Sequence, residues 1–95
     1  MKILHLTLKK QWFDMIASGE KTEEYREMKP YWHKRLLNRK YDAISFRNGY
    51  SKTAPTMLIE FKSLYSGLGL ISHGAPSSQH VYILKLGEIL THNVK

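Results

Sequence analysis

Leu4, Leu6 and Leu8 fall on one side of residues 2–8, and Ile3, His5 and Thr7 on the other, an alternation of period two that predicts a strand. Both sides are fairly apolar, which points to a central strand. From Lys9 to Ser18 the period changes: Trp12, Met15 and Ile16 share one helical face, extended by Phe13 and Ala17. A helix of about ten residues is marginal alone, so its Trp12 face is expected to pack on the sheet. Gly19 then supplies the left-handed conformation that commonly closes a helix.

The charged segment after Gly19 reads as a second strand around Thr22 and Tyr25, broken by Lys29-Pro30. Pro30 suits the first turn of a second helix, about Tyr31 to Asn38, with Trp32, Leu36 and Leu37 inward. His33, Lys34, Arg35, Arg39 and Lys40 face outward or follow it, a basic face read first as solvated surface. Three more strands are expected at Tyr41–Arg47, Thr56–Tyr65 and His80–Ile89, the last with two apolar faces broken by Gly87. Asn48-Gly49-Tyr50-Ser51 is a turn signal, Ser66–Gln79 a long loop rich in Gly, Ser and Pro, and the tail from Thr91 is expected to fray. The order β-α-β-α-β-β-β predicts an α+β fold: a curved or barrel-like mixed sheet of five short strands with two small helices.

The length of 95 residues fits one domain with its own core. The chain holds no cysteine, so disulfides and thiolate metal sites are excluded and a reducing, cytoplasmic setting is favoured. No apolar run approaches a membrane span, and the short apolar N-terminus lacks the features of a signal peptide. The formal net charge is +7 with a pI near 9.7. Residues 1–52 hold twelve basic and six acidic groups, and residues 53–95 only three and two. A basic excess concentrated in one half favours a polyanionic partner, nucleic acid first.

His5, His33, His73, His80 and His92 form no zinc-binding pattern, and His5 reads as a packed residue. Gly67-Leu68-Gly69-Leu70 is not a dinucleotide fingerprint, and neither a phosphate loop nor a serine nucleophile elbow occurs. No metal or cofactor is expected. Trp12 and Trp32 sit at helical core positions, with base stacking as their second use.

The densest polar chemistry lies in Gly19-Glu20-Lys21-Thr22-Glu23-Glu24-Tyr25-Arg26. In a strand, residues two apart share a face, so Glu24 and Arg26 point the same way, and Lys21 can approach that face from the helix end. Two cations beside one carboxylate can bind a phosphate or a base edge. A catalytic Lys21 needs a lowered pKa, which burial or cationic neighbours would give and Glu24 would oppose. Glu24 can instead act as general base, with Lys21 and Arg26 stabilising developing charge. The plainer alternative is a surface ion pair of about 0–1 kcal/mol.

The spacing Gly19-x-Lys21-x-x-Glu24-x-Arg26 resembles the signature of the ASCH family, whose fold is similar to the PUA barrel. Leu6-x-Leu8, Phe46-Arg47-Asn48-Gly49 and Ile83-x-Lys85-Leu86-Gly87-x-Ile89 resemble further family features, in the same order. The resemblance implies a basic cleft that binds RNA or a nucleotide, built from Lys9, Lys21, Glu24, Arg26, Arg47 and Asn48. Some members resemble ribonucleases, and others hydrolyse the acetyl amide of N4-acetylcytidine nucleosides, which would make Lys21 and Glu24 the catalytic candidates. Lys21 matches the lysine of the amidohydrolase branch, but Glu24 stands where that branch has a threonine, and its later glutamate has no clear equivalent here. A third reading is a protein-interaction domain using an exposed Tyr25, Tyr50 and the 66–79 loop.

Overall fold

The computed structural model describes residues 1–93. Its elements run β1 (Ile3–Leu8), α1 (Lys10–Ala17), β2 (Glu23–Glu27), α2 (Pro30–Leu36), β3 (Ala43–Asn48), β4 (Thr56–Leu68), a 3-10 turn (Ile71–His73) and β5 (His80–Asn93). The order of strands and helices follows the hydrophobic pattern. The strands form one mixed sheet in the order β1-β3-β4-β5-β2, with β1 and β3 parallel and the other neighbours antiparallel. The result is a small α+β fold whose sheet curls into a half-barrel. Register shifts between Leu58 and Ser63 lie in the long β4–β5 pairing, and irregularities of this kind bend and twist a sheet.

The alternation in β1 puts Leu4, Leu6 and Leu8 into the core, where they meet Phe13, Ile16, Leu36, Ile44 and Phe46. The two apolar faces of β5 serve two clusters. Tyr82, Leu84 and Leu86 join the main core, whereas Val81 and Ile83 pack with Tyr25 and Ala75 on the opposite face. Gly19 closes α1 with φ +86°, its N–H bonded to the Ile16 carbonyl at 3.1 Å.

Several expectations change. β1 is an edge strand, not a central one. The α1 face that is buried is Phe13 and Ile16; Trp12 is only half-buried. Leu37 lies beyond the end of α2 and is exposed, while His33, expected outside, is half-buried and hydrogen-bonds the Tyr82 hydroxyl through Nδ1. β4 continues to Leu68 and β5 to Asn93, so the 66–79 loop is shorter and Thr91–Asn93 is strand; the remainder of the expected frayed tail lies outside the described residues. Pairing with Thr56–Leu58 carries β5 past its apolar run, a cross-strand gain that local composition does not record.

Candidate functional site

The curled sheet leaves β1 and β2 as its two edges, and Arg26 joins them. Its Nη2 donates to the Thr7 carbonyl of β1 at 3.4 Å, while Nη1 donates to the Tyr25 carbonyl at 2.9 Å and pairs with the Glu24 carboxylate. Arg35, from α2, donates to the next outward carbonyl of β1, that of His5, at 3.3 Å. Two guanidiniums thus cap edge carbonyls that no strand covers.

Along this seam lies a cavity of about 510 Å³, within the size range of small-ligand sites. β1 contributes His5 to Leu8, β2 contributes Glu24 to Arg26, and α2 contributes Tyr31, Trp32 and Arg35. Lys9, Trp12, Tyr50, His73 and Gly74 complete the lining, with Gly74 packed against the Trp12 ring. The walls carry three cations (Lys9, Arg26, Arg35) against one carboxylate, Glu24. They also carry aromatic rings: Arg26 lies 5.2 Å and Arg35 5.5 Å from the Trp32 ring, and Tyr31 meets Trp32 edge-on at 4.8 Å. Core packing was the first expectation for Trp12 and Trp32 and base stacking the second; Trp32 packs against the main core while lining the cavity, and Trp12 is half-buried on its wall. His5 was expected to be packed, whereas it is exposed on the cavity wall.

Lys21 stands behind this wall. Its ammonium lies 3.2 Å from Glu24 Oε1 and donates to the His73 carbonyl at 2.5 Å. It also sits 4.4 Å from the Tyr25 ring and 5.5 Å from that of Trp12. Lys21 and Glu24 are both buried, at 2% and 4% exposure, so the Lys21–Glu24–Arg26 cluster is no surface ion pair. Burial lowers the Lys21 pKa below its ordinary 10.5; the neighbouring Glu24 opposes that shift, and Arg26 adds to it. Tyr25, expected to be exposed, is 7% accessible, and burial raises its phenol pKa. Tyr25 donates to Glu23 Oε1 at 3.0 Å and accepts the Leu70 N–H at 3.2 Å, anchoring the 66–79 segment above Lys21. Tyr65 also bonds Glu23, which pushes its pKa up to about 12.

The predicted site residues therefore divide. Lys9, Glu24 and Arg26 meet at the cavity, with Lys21 directly beneath Glu24. Arg47 and Asn48 do not line it. They belong to β3, one strand inward from the β1 edge, where Arg47 pairs with Thr7 across the ladder and its Nη2 turns to the Ser51 carbonyl. Arg47 lines a smaller hollow of about 240 Å³ with Ser45 and Thr56, beside the cavity and sharing His5, Leu6 and Thr7 with it. Tyr31 and Arg35 were not among the expected site residues, the basic face of α2 being the only signal for Arg35; Tyr50 was expected only as an exposed interaction residue. Among the described residues, no group of three or more His, Cys, Asp or Glu is placed to hold a metal ion. No helix among them is long and apolar enough to cross a membrane.

Comparison with family models, curated proteins and solved structures finds no match to this chain. The functional reading rests on the site itself.

Proposed function

We propose that this protein is an RNA- or nucleotide-binding module of the ASCH, PUA-like type, and that its ligand occupies the seam cavity. The observation that carries the proposal is the composition of the walls: Trp12, Tyr31, Trp32 and Tyr50 set among Lys9, Arg26 and Arg35. Aromatic faces accept stacked bases of any sequence, and cations beside them follow the phosphates. Glu24 is the acceptor within this basic wall, fixed in place by Lys21 and Arg26, and suited to an amino group on a base edge. The test is equilibrium binding of labelled single-stranded RNA at several salt concentrations. Affinity that falls as salt rises supports the reading, since phosphate contacts release counterions; no binding, or affinity flat with salt, rejects it.

A hydrolase is the second reading, supported by a buried lysine of lowered pKa touching the one carboxylate that faces the cavity. In such a reaction Glu24 takes a proton from the attacking water, and Arg26 stabilises the developing negative charge. Lys21 is not on the cavity wall, so its part is to position Glu24. Labelled RNA and N4-acetylcytidine are the substrates to try. Turnover lost in both Lys21→Ala and Glu24→Gln supports this reading; turnover that survives both substitutions comes from a contaminant.

A further inference from the structure

A second cavity, of about 530 Å³, adjoins the first. Tyr25, Arg26, Trp32 and Gly74 line both, so the two share a wall. Its remaining walls are Glu27, Ala75, Pro76, Gln79 and Val81. The two differ in charge. The first presents three cations and one carboxylate; the second adds no cation to the shared Arg26, and its one added charge is Glu27, which pairs with Lys29 at 3.2 Å. The second is therefore apolar at Ala75, Pro76 and Val81, aromatic at Tyr25 and Trp32, and provided with one carboxylate and one amide. Those groups suit an uncharged planar ring with polar edges better than a phosphate.

We infer that the two cavities form one groove that takes two successive nucleotides of a single strand. The inference rests on the nucleotide reading above and extends it. One nucleotide lies among Lys9, Arg35 and Trp12, where its phosphate meets the cations. The strand crosses the Arg26–Trp32 wall, and the second base enters the neutral cavity. There Glu27 accepts from a base amino group, and the Gln79 amide both donates and accepts. Both side chains are exposed, so neither is committed to the core.

The test is calorimetric titration with the four 5′-mononucleotides, the four nucleoside 3′,5′-bisphosphates and the four homodinucleotides. At least one homodinucleotide should bind about tenfold more tightly than its mononucleotide, the size of the hydrogen bond that Glu27 would add at the second base. The matching bisphosphate, which adds the phosphate without the second base, should not reproduce that gain. A Glu27→Gln, Gln79→Ala double variant should bring the dinucleotide to within about twofold of the mononucleotide and leave mononucleotide affinity unchanged. Equal affinity for the two lengths, a bisphosphate that matches the dinucleotide, or a gain that survives the double variant each overturns the two-position groove while leaving the nucleotide site standing. If none of these probes and no single-stranded RNA binds, the nucleotide reading falls and this inference with it.

Discussion

The Lys21 ammonium lies 3.2 Å from the Glu24 carboxylate, with only 1% and 5% of the two side chains exposed. Both charges have been taken out of water, and each depends on the other and on Arg26 for compensation. Glu24 is the only member of the pair on the cavity wall. Lys21 acts from behind, holding Glu24 and, through the His73 carbonyl, the loop that closes that side of the cavity.

Replacing Lys21 by Met leaves a buried carboxylate with Arg26 alone and takes the donor from the His73 carbonyl. Breaking a buried pair from one side costs about 3–5 kcal/mol, and the remaining Arg26 places this case near the lower end. Urea unfolding should show a clear fall in midpoint. Glu24→Gln should also destabilise, by leaving two cations together without their anion. The Lys21→Met, Glu24→Gln double variant should be more stable than the sum of the single losses implies, with a coupling of about 0.5–3 kcal/mol. Simple additivity would mean that the ion pair has no energetic existence in solution.

The pH dependence follows from the sign of the Lys21 shift. A lysine whose folded pKa lies below its unfolded value binds fewer protons when folded across the interval between them, so stability rises with pH through that interval. The gap in stability between the native protein and Lys21→Met should therefore widen as pH approaches 10.5 from below. Tyr25 and Tyr65 have raised pKa values and act in the opposite sense. Their contribution is present below about pH 10, the ordinary tyrosine pKa, and is lost above it. Urea midpoints taken at intervals from pH 7 to 11 should rise relative to Lys21→Met and level off near 10.5, while the midpoints of both proteins decline above about pH 10. A relative midpoint that falls from pH 7 onward would contradict the lowered lysine.

Much of this arrangement was legible beforehand. The leucines of β1, Gly19 and the two apolar faces of β5 each carry a local signature with one physical meaning, and the structure uses all three. The grouping of Lys21, Glu24 and Arg26 was legible because all three belong to one short segment. What spacing cannot convey is which edges approach when a sheet curls. The cavity is made where β1 meets β2, segments separated by a whole helix, and Arg35 enters from α2 across the seam. Arg47 lies off the cavity for the same reason: its strand was correct, but the sheet order sets it inside the β1 edge. Trp12 left two uses open because a half-buried indole satisfies a core pattern and a cavity wall equally.

Gly69 offers a test of how tightly the loop is fitted. A Cβ there would lie 2.6 Å from Tyr25 Cε1 and 2.7 Å from the Ala75 Cβ, closer than real contacts allow. The Tyr25 ring is held by Glu23 and Leu70 and covers Lys21, so it has little room to yield. Gly69→Ala should destabilise by about 1–3 kcal/mol, as overpacking does, and should weaken RNA binding by moving the Tyr25 wall. Gly67→Ala is the control: its Cβ would meet only Ile83 Cδ1, at an ordinary 3.7 Å. Equal stability of the two variants would show that the loop does not pack on Tyr25.

The two arginines of the seam should separate when each is removed. Arg26 compensates buried Glu24 and caps Thr7, so Arg26→Ala should lower stability and RNA affinity together. Arg35 touches the Tyr31 hydroxyl at 2.7 Å and the His5 carbonyl, and neither belongs to the core cluster. Arg35→Ala should therefore leave the fold largely intact and remove one cation from the proposed phosphate path. For single strands each lost phosphate contact reduces the slope of log affinity against log salt by about 0.7. Tyr50, 88% exposed on the rim, carries no charge. Tyr50→Ala should lower affinity through lost stacking while keeping the slope, so the two variants distinguish charge from stacking in one titration series. An Arg35→Ala slope equal to that of the native protein would remove Arg35 from the phosphate path and leave its cation only the role of packing against Trp32.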